Sequence, residues 1–85
     1  MDWDKCPAVE SIPGKHGGEW LFTNTRVPVS ALFGNLAAGA TIEEFLDWFY
    51  GVEQWQVKAV LEHVVENLDA KVDYLGAKVK YENPV

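Results

Sequence analysis

Eighty-five residues with a net charge of −6 make one domain, and a chain of this size buries only about 60–65% of its unfolded surface, so its core is small. The composition, 48% apolar, 24% charged and 13% aromatic, is globular and excludes fibrous or low-complexity chains. The apolar runs fall short of the roughly 18 residues of a membrane span, and the acidic excess repels phosphate at long range, so any DNA binding must come from a local patch.

Residues 1–8 (MDWDKCPA) form a lead-in segment in which Trp3 covers the core and Pro7 keeps the chain extended. The acidic N-terminus does not read as a signal peptide. Two runs, VESI (Val9–Ile12) and EWLF (Glu19–Phe22), flank the turn-forming PGKHGG. The second alternates, with Trp20 and Phe22 on one face and Leu21 on the other, so a β-hairpin with a six-residue loop is expected. Two strands alone are marginal in water, so they must pack on helices or pair with another chain.

Three helices are expected next. The first runs from about Pro28 to Ala38, with Pro28 at the first helical position, Gly39 as the stop, and an apolar stripe of Val29, Leu32, Phe33 and Leu36. The second opens on a capping box, Thr41 with Glu44 three residues on, carries Ile42, Phe45, Leu46 and Phe49, and ends at Gly51. The third spans Gln54 to Leu68, with Val57, Val60, Leu61, Val64, Val65 and Leu68 expected to face inward. The short link Tyr50–Glu53, containing Gly51, fits a helix-turn-helix. The fold class expected is therefore mainly α, a three-helix helix-turn-helix bundle preceded by a short N-terminal β-hairpin, occupying residues 1–70. Residues 71–85 form an extension rather than a domain. That extension prolongs the third helix to about Leu75, forms an extended arm, or orders on binding; a helix fraying into an arm is the favoured form.

The hairpin followed by TRVPVSALFGNLAAGATIEEFLDWFYGVEQWQVKAVLEHV, with CPAVESIPGK upstream, resembles the bacterial and archaeal domain-of-unknown-function 433 family over roughly residues 3–68. The resemblance implies a homeodomain-like helix-turn-helix and an antitoxin-like protein, often paired with a PIN-like nuclease toxin. Two positions depart from the family pattern. Asn24 stands where Gly is usual, and Glu53 stands where a Ser or Thr cap is common.

Several residues are candidates for function. Arg26, the only arginine, precedes the first helix and either holds a DNA phosphate or a partner's carboxylate, or bridges internally to Glu19, Glu43 or Glu44. On the third helix Gln54, Trp55 and Lys58 are expected to point outward, where Gln suits adenine and Lys suits guanine or phosphate. These four are the DNA-binding candidates, set against a plain solvated face flanked by Glu53 and Glu62. Trp55 also suits a protein interface, as do Val72, Tyr74, Val79 and Tyr81 of the tail, which alternate among Lys71, Lys78 and Lys80 and could add a strand to a partner's sheet. Four tryptophans exceed what three short helices readily cover, which suits a dimer interface.

Catalysis finds little support. Cys6 has no His near it in sequence, His16 sits in a Gly-rich loop and His63 on a helix. No catalytic triad, phosphate-cradling loop or metal-ligand spacing is present, so no enzyme activity, metal or cofactor is expected, and Glu43, Glu44 and Asp47 read as solvated helix residues. A single cysteine suits a reducing cytoplasm, and a small domain without a disulfide gains stability as a homodimer. The function expected is an antitoxin-like protein binding a PIN-like nuclease toxin, with autoregulation through double-stranded DNA. The alternative is a dimeric helix-turn-helix transcriptional regulator without a toxin partner.

Overall fold

The computed structural model describes residues 2–14 and 16–68, so the expectations for Val72, Tyr74, Val79 and Tyr81 lie outside the described residues. Two short strands, β1 (Val9–Glu10) and β2 (Leu21–Phe22), precede three helices, α1 (Val29–Ala37), α2 (Ile42–Trp48) and α3 (Gln54–Asn67). The mainly helical class with an N-terminal hairpin is the observed one. A single 3₁₀ turn over Trp3–Lys5 leads in.

The strands are shorter than the runs VESI and EWLF, and they pair antiparallel with Val9 opposite Phe22 and Glu10 opposite Leu21. Alternation alone puts Leu21 on the outer face, yet Leu21 is 2% exposed and Phe22 0%. The reason is a second partner for β2. Leu21 bridges Pro28 on its other side, with Phe22 N–H donating to Val27 O at 2.9 Å and Val29 N–H to Trp20 O at 2.9 Å. The segment before α1 thus acts as a third edge. Asn24 turns the chain between these edges at φ +67°, a left-handed backbone that Asn tolerates.

Pro28 is the N-cap of α1 rather than its first helical residue, in extended backbone at ψ 148°. Ala38 caps the other end, and Gly39 follows at φ +104°. The capping box of α2 forms as read: Glu44 N–H donates to Thr41 Oγ1 at 3.0 Å, and Thr41 N–H donates to Glu44 Oε1 at 2.9 Å. Val29 and Leu32 of α1, Phe45 of α2, and Val57 and Val60 of α3 meet Cys6, Ala8, Val9, Phe22 and Val52 in one core. Phe45 sits at its centre, 4.6 Å from the Phe49 ring and 6.2 Å from the Phe22 ring. Trp3 and Trp20 pack against this core as partial covers.

The inward face of α3 is rotated from the one expected. Val57 and Val60 are buried and Leu61 and Val64 half-buried, but Val65 is 54% exposed and Leu68 57%. The core side is taken instead by Gln56, Val60 and His63. Gln56 is drawn in because both ends of its amide are bonded, which removes the cost of burying it. Its Oε1 accepts from Glu53 N–H at 2.8 Å, and its Nε2 donates to Thr23 O at 3.1 Å, tying α3 to the chain after β2.

Candidate interaction surface on the third helix

The link from α2 to α3 covers residues 49–53, with Gly51 at φ +100° and Thr25 close beside it. Around this turn the chain exposes three large aromatic side chains. Trp48, the last residue of α2, is 56% exposed, Tyr50 in the turn 92%, and Trp55 in the first turn of α3 51%. These three rings, within eight residues of sequence, place an unusual amount of aromatic surface in solvent. The surrounding charge is acidic: Asp47 and Glu53 are exposed here, and Trp55 Nε1–H donates to Glu53 Oε1 at 3.0 Å. That bond holds the indole against the start of the helix and occupies the carboxylate that stands at the N-cap. Gln56 Oε1 thus accepts from the Glu53 N–H while Trp55 Nε1–H donates to the Glu53 carboxylate.

The remaining outward candidates fall on a different flank. At 100° per residue, Gln54, Lys58, Leu61 and Val65 share one strip, with Trp55 about a quarter-turn away. The strip forms a groove of about 350 Å³ lined by Ile42, Gln54, Val57, Lys58, Leu61, Glu62 and Val65. Its floor is apolar. Its rim is a single charge pair, Lys58 Nζ to Glu62 Oε2 at 2.5 Å, with side chains 71% and 60% exposed. Of the four DNA-binding candidates, the structure brings Gln54 and Lys58 together in this groove and sets Trp55 beside it. Arg26 lies apart, exposed in the loop before α1, and makes no ion pair among the described residues. The internal bridge from Arg26 to Glu19, Glu43 or Glu44 does not form.

A second groove of about 350 Å³ is lined by Trp3, Glu19, Trp20, Val29, Ser30 and Phe33. Next to it the lead-in turn docks on α3, with the Trp3 ring 4.9 Å from the His63 ring. His63 Nε2 is buried without a hydrogen-bond partner among the described residues, and Cys6 is buried with Sγ 3.9 Å from Ala59 O. On the exposed side of the lead-in turn Asp2 and Asp4 share a hydrogen bond. It lowers the Asp2 carboxyl below its ordinary range, with Lys5 helping, and raises that of Asp4.

Sequence reasoning missed Gln56 and His63 because both are polar and fall between the valines. The available signal for Gln56 was its place three residues after the N-cap, where a Gln or Glu reaches back. No cluster of three or more metal-ligating side chains occurs among the described residues, and no described helix is long and apolar enough to cross a membrane. A family model described as Protein of unknown function (DUF433) matches residues 9–70. No curated protein and no solved structure matches the chain.

Proposed function

The chain belongs to the DUF433 family, proteins of unknown function, and from that membership we propose that it is an antitoxin-like protein whose work is to bind another protein. The partner class, a PIN-like nuclease toxin, comes from the family resemblance. The observation that carries the reading is the exposed trio Trp48, Tyr50 and Trp55 in an acidic setting. Nucleases that handle RNA carry basic grooves. An acidic surface with aromatic anchors approaches such a groove quickly and holds it by burial. The reading places the protein in the cytoplasm, in keeping with its single buried cysteine.

Co-expression with the product of the adjacent gene tests it. The expected result is a complex that survives purification, with Trp55→Ala weakening it about tenfold or more, as loss of an aromatic anchor does. Separate elution of the two wild-type chains would overturn the proposal.

One observation favours a second reading, a transcriptional regulator. Gln54 and Lys58 stand side by side and exposed on the first half of α3, the part that enters a major groove in helix-turn-helix proteins. A gel shift on the upstream DNA at low salt, lost in Lys58→Glu, would support it, and absence of any shift would remove it.

A further inference from the structure

The second groove, of about 350 Å³, is walled by aromatic side chains from three separate parts of the chain. Trp3 comes from the lead-in turn, Trp20 from just before β2 and Phe33 from α1, with buried Val29 beneath them and exposed Ser30 and Glu19 at the rim. All three rings are half-buried and pack against the core, which holds them in place. Trp20 O accepts from Val29 N–H at 2.9 Å, tying it to the helix that carries Phe33, and the Trp3 ring lies 4.9 Å from that of His63 on α3. The one ionisable group of the lining is the Glu19 carboxylate, which makes no ion pair among the described residues. Aromatic faces are electron-rich, so the rings and the carboxylate offer a ligand the same sign. The start of α1 by itself favours an anion, but Pro28 has no N–H to offer and Val29 N–H is already donated to Trp20 O.

We propose that this groove takes the side chain of an arginine presented by a protein partner, with the guanidinium against Trp3, Trp20 and Phe33 and bonded at the rim to Glu19. A guanidinium fits this lining better than an ammonium. It is planar and weakly hydrated, so it stacks on rings and gives up its water to an apolar wall, whereas the compact ammonium holds its water strongly. Its forked N–H donors match a single carboxylate, and the Ser30 hydroxyl at the rim accepts a further one. An anion is opposed by Glu19 and by the net charge of −6. The lead-in turn adds to this, because Asp2 and Asp4 flank Trp3 in sequence and the Lys5 ammonium is engaged with Asp2 at 3.6 Å. No residue of the groove belongs to the trio Trp48, Tyr50 and Trp55, so the groove is a second contact. It rests on the partner reading only in taking the arginine from a protein.

Nuclear magnetic resonance titration of the full chain with a blocked alanine peptide carrying one central arginine tests the proposal. The indole N–H signals of Trp3 and Trp20 are expected to move saturably, with a dissociation constant of about 1 mM, as suits a single side chain, while those of Trp48 and Trp55 stay in place. The same peptide with citrulline, the neutral isostere, is expected to bind about tenfold more weakly, and with lysine about fivefold. Glu19→Gln, at an exposed position, should weaken the arginine peptide about threefold. Phe33→Leu, which keeps the wall apolar but removes a ring, should do the same. Free L-arginine should bind more weakly than the peptide, because its own carboxylate meets Glu19. No saturable movement at Trp3 and Trp20, equal movement at Trp48 and Trp55, a citrulline or lysine peptide as tight as the arginine one, or a Glu19→Gln chain that binds as well as wild type would each overturn the proposal. Free arginine tighter than the peptide would make a small metabolite the occupant and overturn the assignment to a partner's side chain. The toxin reading fails separately: chains that elute apart while the peptide still saturates the groove would remove the toxin and keep the groove, and a stable complex without any peptide response would do the reverse.

Discussion

At the scale of single residues, the polar side chain that matters most to the fold is Gln56. It is 3% exposed, accepts from Glu53 N–H and donates to Thr23 O, so one amide starts α3 and ties it to the loop that follows β2. Replacement by leucine keeps the volume but leaves a donor and an acceptor without partners, which costs about 1–3 kcal/mol. Urea unfolding of Gln56→Leu should therefore show a lower midpoint with an unchanged slope, and a midpoint equal to wild type would mean that water replaces both bonds. Thr41 is the simpler case. Its hydroxyl caps α2 from an exposed position, and Thr41→Ala should cost about 1 kcal/mol by the same measurement. Thr41 was legible from spacing because Thr-x-x-Glu is a pattern with a mechanism. Gln56 was not, because the pattern is ordinarily begun by Ser or Thr, and here a glutamate holds the N-cap.

The helices themselves were readable because their punctuation is local. Thr41, Gly39 and Gly51 state where segments start and stop without reference to the rest of the molecule. The phase of α3 was another matter. Its valines and leucines span about 140° of the circumference at 100° per residue, an arc that alone would point inward, and the buried face is displaced from it by what α3 meets. Thr23 recruits Gln56, and Trp3 packs its ring at a tilt against His63, which rotates the helix and leaves Val65 and Leu68 outside. The hairpin was legible, but the outward facing expected for Leu21 was wrong for a similar reason, since Leu21 is buried by the segment at Pro28, a contact that no alternation within β2 can reveal. Two alanine substitutions check the phase. Val60→Ala, fully buried, should cost about 2 kcal/mol, while Val65→Ala should stay within about 0.5 kcal/mol. Equal losses at the two positions would contradict the rotation described. At the centre of the core the stakes are higher. Phe45→Ala removes a fully buried ring that stacks on Phe49, at a cost of about 3–5 kcal/mol, a large part of what holds a domain of this size together.

For the whole molecule, charge decides between the two kinds of partner, and the decision can be measured through salt. The chain carries seven basic and thirteen acidic side chains. On the side that α3 presents, the bases available to a duplex are Lys58, already paired with Glu62, and Arg26 if the β2–α1 loop also reaches the backbone. Each phosphate neutralised contributes a slope of about −0.9 to the dependence of log affinity on log salt, so two contacts give a slope near −1.8. Raising salt from about 50 to 200 mM would then weaken DNA binding only about tenfold. A slope near −5 would need about five or six phosphate contacts, so basic residues beyond Lys58 and Arg26 would have to reach the duplex as well. Association with a basic protein partner depends on the net charge rather than on two side chains. Its on-rate should fall steeply over the same salt range, while the dissociation rate, set by the buried aromatic rings, should change little. Stopped-flow mixing with the co-purified partner separates the two. An on-rate indifferent to salt would mean that the acidic surface does not steer the encounter, and the aromatic trio would then have to account for recognition without help from charge.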